Sequence, residues 1–549
     1  DELAGWQGSY DTPTGARLIG QIVRRDVNHP SILFWDNGNE GGWNIENDGE
    51  FDRWDPQRRP VLHPWAIHSG INTDHYENYD STVALSAGPE IFMPTEFLHG
   101  LYDGGIGAGL RDYWDVMGRS PTVAGGFFWA FADEGIERTD QNGRIDNMGN
   151  AAPDGIVGAH HEKEGSYFAV KEIWSPVQIS NVAVSERQLR LHVENRYDFT
   201  DLSACTLRWR VVPLPRAQDK AAPRVRAQGE LRMPALAPRA GRDWQFPMDT
   251  SLNPDEILEL TVVHPHQQDL WTWTTSTEVL ATKVPSRDTR VRRQGNVVTA
   301  GNYELEFDAR TGALARLKYR HRKIPLQGPR LAAWLRVPKA RTFAPAAPEP
   351  TLRRLELAPG GNEPELLARA EYDGALRWVS WQIVDDELLV RYELDFRGAA
   401  DILGVSFDYP EKSVLAKRWV GAGPYRIWKN RQAGTQFGLH QANYSRSTPG
   451  VTYEYPEFEG FFGSWAWLEL RTREAKIAID NSGIPYFGLY RPTPGEKPIL
   501  ELPDLGWSFL QAVPPIGTKF ALAEVLGPES QPTQFAGRIK GELRIRISR

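Results

Sequence analysis

Sulfur is nearly absent from this sequence. One cysteine, Cys205, occurs in 549 residues. That excludes an intramolecular disulfide and a cysteine-based zinc site. Low cysteine use fits a cytoplasm or a bacterial periplasm and does not choose between them. Cys205 itself reads as a small buried residue on a strand. Long apolar runs are also missing, and none approaches the roughly 18–20 residues of a helical membrane span. Positive charge is not in excess. The formal net charge is −8, which argues against an electrostatic nucleic-acid binder. An initiating Met and a signal-like segment are lacking too. The chain opens at Asp1 in what reads as folded sequence, so an upstream segment of the same protein is expected.

Hydrophobic residues make up 40% and charged residues 24% of the chain, an ordinary globular balance. At roughly 150 residues per domain, three or four domains are expected. Trp is abundant, at 20 residues. Aromatic faces stack on sugar rings, which leans towards carbohydrate, but Trp equally fills β-sandwich cores.

Three regions follow from the patterning. Residues 1–176 alternate strand-like runs with helical stretches. Asp11, Thr12 and Pro13 start a helix whose Leu18, Ile22 and Val23 share one face. A buried strand is expected over 31–35, with others over 60–63, 71–76, 91–97 and 123–132. This alternation predicts parallel βα units, with polar residues at the strand ends. Residues 177–284 show period-two alternation, as in Leu189, Leu191 and Val193, and predict a small β-sandwich. A long loop is expected inside it over 213–241. Residues 285–549 are again β-rich, with a hairpin predicted from Tyr303–Phe307 through 308–312 to Leu314–Tyr319.

The stretch NHPSILFWDNGNE, residues 28–40, delivers Asn39 and Glu40 to the end of a buried strand. The stretch IFMPTEFLHG, residues 91–100, does the same for Glu96. Two strand-end carboxylates facing one pocket are what a retaining glycosidase needs: one acid protonates the leaving oxygen, and one carboxylate attacks the anomeric carbon. A third run, GGFFWAFAD over 125–133, brings Trp129 to the pocket floor. The adjacent His160 and His161 read as loop residues.

These motifs, with Arg24, Arg25 and Asp26 before the first and Gly41 and Gly42 after it, resemble glycoside hydrolase family 2, the β-galactosidase group. Downstream, residues 195–199 (NRYDF), 303–319 and 328–330 (GPR) extend the resemblance over nearly the whole chain. It implies a multidomain α/β and all-β protein. Residues 1–176 would be the later part of a (β/α)8 TIM barrel, from strand 3 or 4 to strand 8. Residues 177–284 would be an immunoglobulin-like β-sandwich, and 285–549 the large terminal β-sandwich. It implies Glu40 as acid/base and Glu96 as nucleophile. Asn39 would bond the sugar 2-hydroxyl, His99 would contact ring hydroxyls, and Tyr76 would hydrogen-bond the nucleophile, with His75 competing for that place. Trp129 would support the sugar's apolar face, and Trp507 would reach the site from the last domain.

The resemblance further implies that Asp1 to Trp6 is the end of the third barrel strand, so the half barrel would need another segment to fold and act. Glu2 to Gln7 lacks the His with which some relatives hold magnesium, and no Asn-x-Lys motif of β-glucuronidases follows the last strand. The expectation is an exo-acting retaining β-galactosidase that uses no cofactor or metal. Its partner would be a carbohydrate, not nucleic acid or membrane, and its place the bacterial periplasm or the exterior, with the cytoplasm as alternative. The sequence leaves homo-oligomerisation open. It also leaves two rivals: a family 2 enzyme acting on a galacturonide or glucuronide, and an inactive carbohydrate-binding fragment.

Overall fold

A computed structural model describes residues 11–100, 106–146, 154–185, 187–219, 223–248, 250–276, 291–358, 365–444, 460–489 and 500–549. Glu2, Trp6 and Gln7, where the magnesium-binding pattern was sought, lie outside the described residues. The protein is mostly β-sheet with few helices. It divides into two units, residues 1–166 with 516–531, and residues 167–515 with 532–549. The region expected as one stretch over 285–549 therefore lends the segment Ile516–Gln531 to the first unit.

The first unit begins with the helix Thr12–Asp26. Asp11 caps it by accepting from the Thr14 amide at 2.7 Å, and Pro13 fits a first turn that needs no amide donor. Its Ile19 and Val23 are fully buried with Trp35, Phe51 and Val61. Gly20 is required there, because a Cβ would meet the Trp54 indole at 2.8 Å. Short strands follow. Trp35–Asp36 pairs in parallel with Val61–Leu62, and Ile71–Asn72 with Ile91–Phe92. Parallel bridges continue from Phe92 to Val123 and from Phe97 to Phe128. The helices Asp48–Trp54, Tyr79–Leu85 and Leu110–Met117 intervene. The buried strand expected over 31–35 is shorter and later. Only Trp35–Asp36 joins a ladder, and Leu33 is 66% exposed.

In the second unit, two sheets share a core. One has the order Gly241–Pro247, Gln188–Asn195, Val177–Ser185; the other Ala227–Arg232, Thr206–Pro213, Glu256–Val263, Asp269–Ser276. Leu189, Leu191, Val193, Leu207, Val211 and Leu260 fill the space between them, with Cys205 buried beside them. The expected loop over 213–241 contains the strand Ala227–Arg232, which completes the edge of the second sheet by pairing with Thr206–Pro213. Its alternation is weak in sequence because the half-buried positions are Ala227, Gly229 and Leu231, two of them small, and none is fully buried.

The remainder of the second unit is built from an eleven-stranded and a nine-stranded sheet. The hairpin Tyr303–Phe307 to Leu314–Tyr319 forms as patterned. Asp308 accepts from the amides of Arg310 and Thr311, and Gly312 takes a φ of +71°. The last strand, Thr533–Ser548, inserts between Glu387–Ala400 and Lys476–Asn481 in the nine-stranded sheet. Trp381, Trp419, Trp465 and Trp507 are buried in the core of these sheets.

Candidate active site

Glu40 stands on a tight turn after Trp35–Asp36. The Gly42 amide donates to the Asn39 carbonyl at 2.6 Å, and Glu40 itself has a φ of +45°. Gly38, at φ +94°, has no room for a side chain, since a Cβ would lie 2.4 Å from the Gly42 carbonyl oxygen. Asn39 is half-buried in the same turn. The strand beneath is held to its neighbour by the Asn37 amide on the Leu62 carbonyl at 3.0 Å.

Glu96 arrives from the strand that starts at Ile91–Phe92 and is 8% exposed. A series of backbone bonds fixes it against the adjoining strand ends. Tyr76 N–H donates to the Glu96 carbonyl at 3.1 Å, Phe97 N–H to Phe127 at 2.9 Å, and Gly100 N–H to Trp129 at 2.7 Å. The Tyr76 hydroxyl donates to Glu96 Oε2. Burial and then that hydrogen bond hold the Tyr76 phenol protonated well above its ordinary range.

Glu40, His75 and Glu96 each bring a polar atom within 4.8 Å of the other two. His75 Nδ1 lies 3.9 Å from Glu40 Oε1 and 3.8 Å from Glu96 Oε2. Its Nε2 is 2.7 Å from Thr95 Oγ1, and the Trp65 ring stacks parallel to the imidazole at 5.7 Å. Burial lowers the His75 pKa to about 4, against a weaker upward pull from Asp74.

His99 packs against Tyr76, with centroids 5.5 Å apart, and lies 6.4 Å from Trp129. Its Nδ1 donates to the Gly100 carbonyl at 2.9 Å, which turns Nε2 towards Asp154 Oδ2 at 3.8 Å. Burial lowers the His99 pKa to about 4. Asp154 is 1% exposed, and burial raises it to about 7 despite Lys519 Nζ at 3.6 Å. Phe520 lies 4.9 Å from the Tyr76 ring and edge-on to His99 at 4.8 Å.

Of the residues singled out from the sequence, Glu40, Glu96, Tyr76, His99 and Trp129 are drawn into one neighbourhood, with Asn39 in the turn beside Glu40. Trp507 is not, and that expectation is corrected. It sits on Trp507–Ala512, 1% exposed, stacked on Tyr409 at 4.2 Å within the core of the second unit. Its strand alternation turns it inward, and Phe520 is the late aromatic residue beside Tyr76. Sequence reading also missed Asp154, Lys519 and the place of His75 between the carboxylates. Nothing in their local pattern marks them. Asp36, within the first motif, is raised to about 7 by burial, and then by Glu96.

A second grouping, Asp48, His63 and His68, has ligand atoms within 4.8 Å of one another, a spacing that could take a divalent ion. His63 Nε2 already bonds Asp48 Oδ1 at 3.0 Å, and the two imidazoles stack face to face at 3.8 Å. His68 Nε2 lies 3.8 Å from the other Asp48 oxygen, so the carboxylate faces both imidazoles.

Comparison with known proteins finds one family profile and a set of β-galactosidase relatives. The family profile described as β-galactosidase, domain 4, matches residues 191–281. A β-galactosidase of Arthrobacter sp. is 26% identical over 89% of this chain and 56% of its own length. One from Priestia megaterium is 22% identical over 77% of this chain and 45% of its own. Among solved structures, a calcium-binding mutant of Bacteroides uniformis β-glucuronidase 2 aligns over 98% of this chain and 57% of its own, at 10% identity and a TM-score of 0.24. The chain spans about half the length of the curated relatives it matches. By these sequence matches the chain is similar to β-galactosidases, and its residues 191–281 to their domain 4.

Proposed function

We propose that the protein is a retaining, exo-acting glycoside hydrolase that releases terminal β-D-galactose by double displacement. The observation that carries this reading is the approach of Glu40 and Glu96 oxygens within 4.8 Å, with the Tyr76 hydroxyl on Glu96. Retaining enzymes keep their carboxyls about 5–5.5 Å apart, whereas inverting ones leave about 6.5–9.5 Å for a water. Glu96 Oε attacks C1 as the bond from C1 to the leaving oxygen breaks, and Glu40 gives that oxygen its proton. The product is a glycosyl ester on Glu96. Water then attacks C1, Glu40 takes the water's proton, and the ester C1–O bond breaks to return Glu96 to its carboxylate. Asn39 bonds the 2-hydroxyl, His99 the ring hydroxyls, and Trp129 stacks on the apolar face. The parallel units within 1–176 are read as part of a (β/α)8 barrel, 177–284 as an immunoglobulin-like sandwich, and 285–549 as the terminal sandwich. The assignment to galactose rests on the β-galactosidases matched in sequence.

One observation favours a second reading. Lys519 lies 3.6 Å from Asp154 and beside Phe520, which itself packs on Tyr76, a cation of the kind that pairs with a sugar carboxylate at C6, as in a galacturonide or glucuronide. A panel of nitrophenyl β-glycosides separates the two. Release from the galactoside and not the uronides supports the first; the reverse pattern overturns it. A 2-deoxy-2-fluorogalactoside trap should label Glu96, and label on another residue would defeat the mechanism.

A further inference from the structure

His75 is not used by the double displacement as written, yet its imidazole is the group wedged between the two carboxylates. Its side chain is fully enclosed, and Nδ1 has no hydrogen-bond partner. A buried polar atom left unpaired costs free energy unless another state of the site satisfies it.

The surroundings fix which ring nitrogen carries the proton. Thr95 Oγ1 lies 2.7 Å from His75 Nε2 and 3.4 Å from the Thr73 carbonyl oxygen. A carbonyl only accepts, so the Thr95 hydroxyl proton goes to Thr73, and the Thr95 oxygen accepts from Nε2–H. In a neutral ring Nδ1 is then a lone pair. Trp65 stacks parallel to the ring, with centroids 5.7 Å apart and an interplanar angle of 5°. Burial, which drives the imidazole towards its neutral form, agrees with this geometry.

A lone pair facing two ionised carboxylates is repelled by both. Adding one proton to the pair turns one of these repulsions, across 3.8–3.9 Å, into an attraction between an O–H dipole and the lone pair. The Tyr76 hydroxyl already donates to Glu96, so that carboxylate is stabilised ionised and the proton belongs on Glu40. The other titratable groups facing this cluster are Asp74, Asp36 and, behind Tyr76, His99 and Asp154. None of them supplies a donor to Nδ1. We propose that His75 is a positioning residue that holds the carboxylate pair in its singly protonated state, with the proton on Glu40, by presenting an unprotonated Nδ1 to both. This rests on the catalytic pair proposed above. As Glu96 becomes an ester its charge is lost, so the Glu40 carboxylate left by proton donation faces only the lone pair and can act as base towards water.

The test joins a spectroscopic and a kinetic measurement. Nitrogen-15 NMR of the histidine-labelled chain, with His75 assigned by comparison with Thr95→Val and His75→Met, should show a neutral ring protonated at Nε2 from pH 5 to 8. A ring protonated at Nδ1, or an imidazolium at pH 7, overturns the proposal, and this readout does not depend on turnover. In the kinetic arm, His75→Met should move the alkaline limb of the kcat/KM profile to lower pH by about one unit while KM changes little. A uniform fall in kcat with an unmoved limb overturns it. Fluorosugar labelling of the wild-type chain keeps the two ideas apart: no label on Glu96 defeats the catalytic reading, whereas label on Glu96 with the wrong tautomer defeats only the role of His75.

Discussion

Tyr76 is tied to Glu96 twice, by its amide on the Glu96 carbonyl at 3.1 Å and by its hydroxyl on Glu96 Oε2. The backbone bond sets where the phenol begins, and the side-chain bond sets where it ends. Tyr76 also has a φ of +53°, a conformation that L-residues adopt only when their surroundings hold them there. Glu96 is thereby held in one rotamer, facing Glu40.

Removing that hydroxyl tests the pairing. Tyr76→Phe keeps the ring against His99 and Phe520 and deletes only the donor. The expected result is a fall in kcat of about 10²–10³-fold, the usual effect of losing one donor to developing charge. Thermal unfolding should change little. A variant with wild-type kcat would show that Glu96 needs no help from this residue.

Glu40 has a distinct signature. Glu40→Ala should hydrolyse very slowly the galactosides whose leaving groups need protonation to depart but retain activity on activated aryl galactosides. Azide should restore turnover and give a galactosyl azide of the β configuration. An α-azide product would mean that the nucleophile and acid roles are exchanged.

The burial of Trp507 gives a prediction of the opposite kind. Trp507→Ala removes a fully buried ring stacked on Tyr409 and should cost about 3–5 kcal/mol in denaturant unfolding of its unit. Folded variant protein should keep the wild-type KM. A raised KM at unchanged stability would restore Trp507 to the sugar site. For Phe520→Ala the pattern should invert, with KM for aryl glycosides rising several-fold and stability nearly constant.

Asp154 links the site to stability. Burial raises its folded pKa to about 7 from an ordinary 3.8. Between those values the folded state holds a proton that the unfolded state has released, so stability falls as pH rises from about 4 to 7. Asp154→Asn cannot titrate and should flatten that part of the pH–stability curve. His99, lowered to about 4, acts with the other sign. Its unfolded form takes up a proton as pH drops below 6.5, which lowers stability towards acid. Urea midpoints across pH 4–8 for wild type, Asp154→Asn and His99→Gln resolve the two. An unchanged slope in Asp154→Asn would show that this carboxyl titrates normally.

The sequence by itself determined what local periodicity and capping determine. The helix Thr12–Asp26 follows from its Asp11 cap, Pro13 and one apolar face. The hairpin Tyr303–Phe307 to Leu314–Tyr319 follows from alternation and the Asp308 turn. Glu40 and Glu96 were legible because a short apolar run ending in a carboxylate is a local pattern, and a strand's direction then points that carboxylate to one end of the sheet. The strand Ala227–Arg232 was not legible, because its half-buried positions include the small Ala227 and Gly229 and give only a weak apolar alternation. Tertiary structure decided which distant residues meet. His75 lies between the carboxylates because strand ends meet in register. Phe520 joins Tyr76, and Trp507 is buried on Tyr409, because chain segments far apart in sequence are brought together by strand order. A single sequence encodes such meetings only through the packing of the whole core, and that packing has no periodic signature to read.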